Sequence, residues 1–125
     1  MAGAERASLG ARGEEAAARW YRDASYVVLD RNWRCAAGEL DVVATSAAGD
    51  VVVFCEVKTR SSCAFGSPFE AVTLAKQRRL RKLAALWLNS ARRPGARYER
   101  IRFDVAAVTS APGGLLDVEV LQDAF

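Results

Sequence analysis

Two β-rich runs, Glu39 to Thr45 and Val51 to Thr59, flank the turn-forming stretch Ala47-Ala48-Gly49-Asp50. Apolar runs separated by Gly and Asp predict an antiparallel hairpin, and this hairpin restricts the fold more than any other feature of the chain. In the first run Leu40, Val42 and Ala44 alternate with Glu39, Asp41 and Val43; in the second Val51, Val53, Cys55 and Val57 alternate with Val52, Phe54, Glu56 and Lys58. Each strand thus has one apolar face and one mixed face. Opposed residues of an antiparallel pair share a face, so the mixed faces coincide only if the connection is even-numbered. A six-residue connection from Ser46 to Val51 sets Thr45 opposite Val52, Val43 opposite Phe54, Asp41 opposite Glu56 and Glu39 opposite Lys58.

The other segments supply cover for such a sheet. A helix is predicted from about Ala4 to Asp23, with Leu9, Ala16, Ala17 and Trp20 as its core stripe. Tyr26 to Leu29 reads as a short strand. Ser67-Pro68-Phe69-Glu70 puts a capping hydroxyl, a proline at the first helical position and a glutamate three residues after the cap, predicting a second helix from Ser67. Its apolar stripe is Phe69, Val72, Leu80, Leu83 and Trp87, and it ends near Asn89-Ser90. Arg100 to Val108 and Leu115 to Leu121 read as strands around an Ala111-Pro112-Gly113-Gly114 turn. No repeat or linker divides the chain, so residues 1–125 are expected to form one α/β domain in the order α-β-β-β-α-β-β.

Opposed carboxylates with Cβ atoms about 5 Å apart repel unless a cation lies between them. The chain has no histidine, which removes imidazole bases and mixed Cys/His metal sites, so a metal here would be held by oxygen. That favours Mg²⁺ or Mn²⁺, with Asp41, Glu56 and the Val57 backbone carbonyl as ligands. Lys58 lies on the same face, about 6.6 Å beyond Glu56 along the strand. There it can assist an attacking water or stabilise charge on a phosphate oxygen. With 15 Arg and only 3 Lys in the chain, a lysine at this point suits a need for an amine of adjustable pKa. The same four charges, Glu39, Asp41, Glu56 and Lys58, are also readable as a surface ion-pair cluster.

Charge is uneven elsewhere too. Between Lys76 and Arg102 lie ten basic residues and one acid, Glu99. This stretch reads equally as a phosphate-facing surface or as a solvated helix face with an exposed loop. Lys76, Arg79 and Arg102, with Arg60 just after the Glu-x-Lys motif, are the candidate nucleic-acid contacts. The three cysteines, Cys35, Cys55 and Cys63, form no CxxC pair, and no apolar run is long enough to cross a membrane. A reduced, cytoplasmic protein is expected.

Gly38-Glu39-Leu40-Asp41, Glu56-Val57-Lys58-Thr59-Arg60, Phe65-Gly66-Ser67-Pro68 and Arg102-Phe103-Asp104 follow one another, preceded by Gly13-Glu14, Ala17 and Asn32. In these motifs, over nearly its whole length, the chain resembles the YraN family of small bacterial proteins. That family is similar to the restriction-endonuclease-like PD-(D/E)xK nucleases, and among them to archaeal Holliday-junction resolvases. The resemblance implies a central mixed β-sheet flanked by helices and a Mg²⁺-dependent endonuclease acting on DNA, branched or structured DNA included. It carries over Asp41 and Glu56 as metal ligands, Lys58 as catalytic lysine, Glu14 as an auxiliary acid near the metal, and Lys76 as a helical residue facing the site. By analogy with junction-cleaving relatives it also implies a homodimer. Cys55 stands where an apolar residue such as Val is more usual. Against the nuclease expectation stands a non-catalytic nucleic-acid-binding module retaining the same fold, and behind it a protein whose basic patch contacts an acidic partner. Neither the motifs nor the pattern assign a role to Glu39 or Asp104.

Overall fold

The two runs fold back on each other in the register that an even connection dictates: Thr45 pairs with Val52, Ala44 with Val53, Val43 with Phe54 and Val42 with Cys55. The turn between them is held by its own side chains. Ser46 Oγ donates to Asp50 Oδ1 at 2.6 Å and accepts from the Val51 N–H at 3.1 Å, while Gly49 takes the positive φ of 78° that the turn requires.

The computed structural model describes residues 8–61, 69, 72–90 and 97–125. Along the chain the elements are α1 (Leu9–Asp23), β1 (Val27–Cys35), β2 (Gly38–Thr45), β3 (Val51–Arg60), α2 (Leu74–Leu88), β4 (Arg100–Ser110) and β5 (Leu116–Leu121), with a 3₁₀ turn at Pro112–Gly114. The strands form one sheet in the order β1-β2-β3-β4-β5. β3 and β4 run parallel and the other neighbours antiparallel. Parallel neighbours need a long crossover, and α2 is that crossover.

The helices cover opposite faces. Leu80, Leu83, Ala84 and Trp87 of α2 pack on Val43, Val52, Phe54 and Phe103, whereas Ala17 and Tyr21 of α1 pack on Val42, Ala44, Val53, Cys55 and Ala106. Phe54 meets Trp87 edge-on, with ring centroids 5.6 Å apart. The Trp87 indole N–H donates to Asp30 Oδ2 at 3.1 Å and so ties α2 to β1. The described cysteines, Cys35 and Cys55, carry free thiols; Cys63 lies outside the described residues. No helix among the described residues is long and apolar enough to cross a membrane.

Four expectations are corrected. The buried stripe of α1 is Gly13, Ala17, Ala18 and Tyr21, turned from the expected Leu9, Ala16, Ala17 and Trp20, because a glycine and two alanines let the helix lie closest to the sheet. β1 is longer than Tyr26 to Leu29, its polar segment hidden from pattern reading because an edge strand keeps one side open. The second helix begins at Leu74, capped by Thr73, whose side chain accepts from the Lys76 N–H at 3.3 Å. Val72 and Thr73 are not helical, and Ser67, Pro68 and Glu70 lie outside the described residues. Finally, Leu40, Val42 and Ala44 do not share one face. Leu40 packs in the α2 layer and Val42 with Ala44 in the α1 layer.

That last break has a local cause. Asn32, on the neighbouring strand between Arg31↔Val42 and Trp33↔Leu40, has a φ of 51°, a left-handed conformation that Asn tolerates better than most residues. The described β2–β3 ladder stops at Val42↔Cys55. Asp41 lies just beyond its end.

Candidate metal centre

Gly13 opens the site by letting α1 approach β3. A Cβ built there would lie 2.0 Å from Thr59 Oγ1 and 3.0 Å from Thr59 Cβ, so any larger residue would push the helix away. The next residue, Glu14, thereby reaches the end of the β2–β3 ladder. Carboxylate oxygens of Glu14, Glu39 and Asp41 all lie within 4.8 Å of one another. Two elements contribute to this trio: α1 supplies Glu14, and β2 supplies Glu39 and Asp41.

Hydrogen bonds fix each member. Asp41 Oδ2 accepts from the Val57 N–H at 2.9 Å, replacing the backbone partner that the ladder no longer provides. The Asn32 amide nitrogen, oriented toward the acids, donates to Glu39 Oε1 at 2.9 Å and to Glu14 Oε1 at 3.0 Å. Arg34 Nε sits 3.4 Å from Glu39 Oε2 across the β1–β2 pair. An open cleft lined by Ser8, Ala11, Glu14, Asn32, Arg34 and Glu39 gives access from solvent.

Glu56 lies on the neighbouring strand but in different company. Its Oε1 is 2.7 Å from Lys76 Nζ and 3.7 Å from Lys58 Nζ. Asp41 and Glu56 therefore belong to one acidic region without forming a paired ladder step, and Lys58 contacts Glu56 rather than Glu39. Burial, the Glu56 charge and the nearby Glu14 and Glu39 push the Asp41 carboxyl up to about 7. Burial and Glu39 also raise Glu14. Lys58 is lowered by burial and then by the hydrogen bond and charge of Lys76. For Lys76 burial acts against the charge, but its contact with the Glu56 carboxylate outweighs it and holds the amine above its ordinary value.

The expected nucleic-acid contacts divide. Arg79 is exposed on α2 and Arg60 half-buried at the end of β3, whereas Lys76 points inward at Glu56. Arg102 does not face solvent. It donates twice to Asp104, at 2.9 Å from both Nε and Nη2, and lies over the Tyr26 ring at 5.4 Å. The fully buried Asp104 also accepts from the Tyr21 hydroxyl at 2.6 Å and from the Asp123 N–H at 3.0 Å. Arg102 and Asp104 thus form a structural anchor on the α1 side of the sheet, with Phe103 between them packed in the α2 layer, because a bare carboxylate at that depth is costly unless paired. Pattern reading left Glu39 and Asn32 without a place in the site. The signal was the break at Asn32, which alternation alone does not reveal.

Comparison with known proteins adds the family. A model of the uncharacterised protein family UPF0102 matches residues 13–108, from Gly13 through every residue of the acidic region and Asp104. The chain belongs to this family. UPF0102 is the family to which the YraN resemblance pointed. UPF0102 proteins of Rhodococcus jostii, Beutenbergia cavernae and Nocardia farcinica are 48%, 49% and 46% identical to it, across 94%, 92% and 97% of this chain and 96%, 93% and 91% of theirs.

Proposed function

We propose that the protein is a Mg²⁺-dependent endonuclease acting on DNA in the cytoplasm, with branched or otherwise structured DNA as its substrate class and a homodimer as its working form. The observation that carries this reading is the convergence of Glu14, Glu39 and Asp41 beside the Glu56, Lys58 and Lys76 cluster. Three carboxylates with no ammonium among them make an oxygen-only donor set that suits Mg²⁺ or Mn²⁺. Asp41, Glu56 and Glu14 would hold the ion with the Val57 carbonyl, and Glu39 adds a further oxygen. When bound, such an ion neutralises phosphate charge and makes water more acidic.

The chain's own groups supply the rest. Lys58, whose amine is lowered by its surroundings, can take the proton of a water attacking phosphorus or donate to a phosphate oxygen as charge builds on it. The water oxygen forms the new bond to phosphorus, one P–O ester bond breaks, and the leaving oxygen is protonated. Asn32 keeps Glu14 and Glu39 together, and Val57 N–H fixes Asp41. The test is cleavage of junction, flap and linear DNA with and without Mg²⁺. Loss of about 10²-fold or more in Asp41→Asn and Lys58→Ala is expected; equal activity in both variants would sink the assignment. A second reading, a non-catalytic nucleic-acid-binding module, is favoured by the neutralisation of Glu56 by Lys76. Salt-sensitive DNA binding indifferent to Mg²⁺ and to loss of Asp41 would select it.

A further inference from the structure

The acidic region is unevenly compensated. Glu14, Glu39 and Asp41 are held mainly by an amide, a backbone N–H and the exposed Arg34. Glu56, with a side chain only 10% exposed, has an ammonium at 2.7 Å from another element. That ammonium comes from the first turn of α2, which contains no acid. A cation there opposes the helix dipole, so helix stability does not account for it. A broken local rule beside a candidate site points to a role in the site.

We infer that Lys76 is a tethered counter-cation: its ammonium and a divalent ion compete for Glu56, so that the ion must displace Lys76 before this carboxylate can serve as a ligand. The inference rests on the reading of Glu56 as one of the residues that would hold the metal. The lysine suits the part. Its flexible four-carbon stem lets the charged end leave without moving the helix, and Lys58 remains within 3.7 Å to keep Glu56 from being stranded. Lys76 also repels an incoming dication in its own right, and that repulsion ends only when the ammonium swings out to solvent or phosphate.

Calorimetric titration of the full chain with Mn²⁺ tests this. Lys76→Met is expected to bind Mn²⁺ at least about tenfold more tightly than wild type. Its thermal midpoint in EDTA should fall, while the rise on adding Mn²⁺ should grow. Lys76→Gln keeps a donor for Glu56 without the charge, should shift affinity in the same direction, and serves if the Met variant does not fold. Lys82→Met removes an exposed lysine of the same helix and should leave affinity within about twofold, which separates local displacement from net charge. Unchanged or weaker affinity in both Lys76 variants overturns the inference, as does absence of binding throughout. Cleavage is read separately. Tighter binding without any DNA cleavage keeps the exchange and removes the nuclease reading; cleavage with unchanged affinity does the reverse.

Discussion

Asp41 is a carboxylate whose charge is opposed both by burial and by three neighbouring acids. Burial, Glu56 and the flanking glutamates raise its carboxyl to about 7, whereas the unfolded chain titrates near the ordinary value of about 3.9. Between those values the folded protein holds a proton that the unfolded chain has released. Stability therefore falls as pH rises through that window, and the loss is complete above about 7. Asn at this position cannot ionise and still accepts from Val57 N–H. In EDTA, Asp41→Asn should gain about 4 kcal/mol over wild type on going from pH 4 to pH 8, measured by urea unfolding at each pH. Millimolar Mg²⁺ should stabilise wild type and not the variant. A pH-independent difference would mean that Asp41 is not held against its charge. The residue scale is also where sequence reading reached furthest. Asp41, Glu56 and Lys58 were legible because charges inside apolar strands stand out.

Glu39's role was not legible, because it depends on a bend at Asn32 that reverses the alternation, and backbone reversals leave little trace in a polarity pattern. The same limit holds for elements. The hairpin register was readable from the parity of one connection and formed as expected from Thr45↔Val52 to Val43↔Phe54, but the expected pairs Asp41–Glu56 and Glu39–Lys58 lie beyond the ladder's end. α1 was found but turned, since its contact face is built from Gly13, Ala17 and Ala18, residues with no strong apolar signal. Gly13 makes that face testable. Gly13→Ala adds helix propensity worth up to about 1 kcal/mol, but the new Cβ meets Thr59 Oγ1 at 2.0 Å, and overpacking costs about 1–3 kcal/mol. The expected result is net destabilisation of about 1–2 kcal/mol, with weaker Mn²⁺ binding as Glu14 retreats. Adding Thr59→Ala should recover most of the stability in a double-mutant cycle; additive losses would place the strain elsewhere. The start of α2 was misread for a different reason. Ser67-Pro68 is a well-formed start signal, yet the described helix is capped by Thr73, six residues on, because a cap motif marks a possible start without choosing between two. Thr73→Ala should lower stability by about 1 kcal/mol and loosen Lys76, whose N–H it caps, measurable as faster amide exchange in the first turn of α2.

For the whole molecule, a run of basic residues in sequence does not become a basic surface in space. Lys76 faces Glu56, Arg102 is clamped to Asp104, Arg100 pairs with Asp123 at 2.7 Å, and Arg81 lies over Phe103 at 4.9 Å. Arg78, Arg79, Lys82 and Arg97 remain exposed among the described residues. Even so, the exposed members of α2 follow Lys76 along the helix, so a strand bound at the acidic region can continue along them. Each phosphate contact contributes about 0.9 to the slope of log affinity against log salt on duplex DNA. Arg79→Ala and Arg60→Ala should each lower that slope by about 1, with unfolding midpoints close to wild type. Arg102→Ala should leave the slope unchanged and instead lose about 3–5 kcal/mol of stability, because Asp104 is left charged and buried without its partner. Fluorescence anisotropy of labelled junction DNA across a salt series, paired with urea unfolding, separates the two classes. An Arg102 variant that folds normally but loses the salt slope would return the whole stretch to the DNA-facing surface that its sequence suggests.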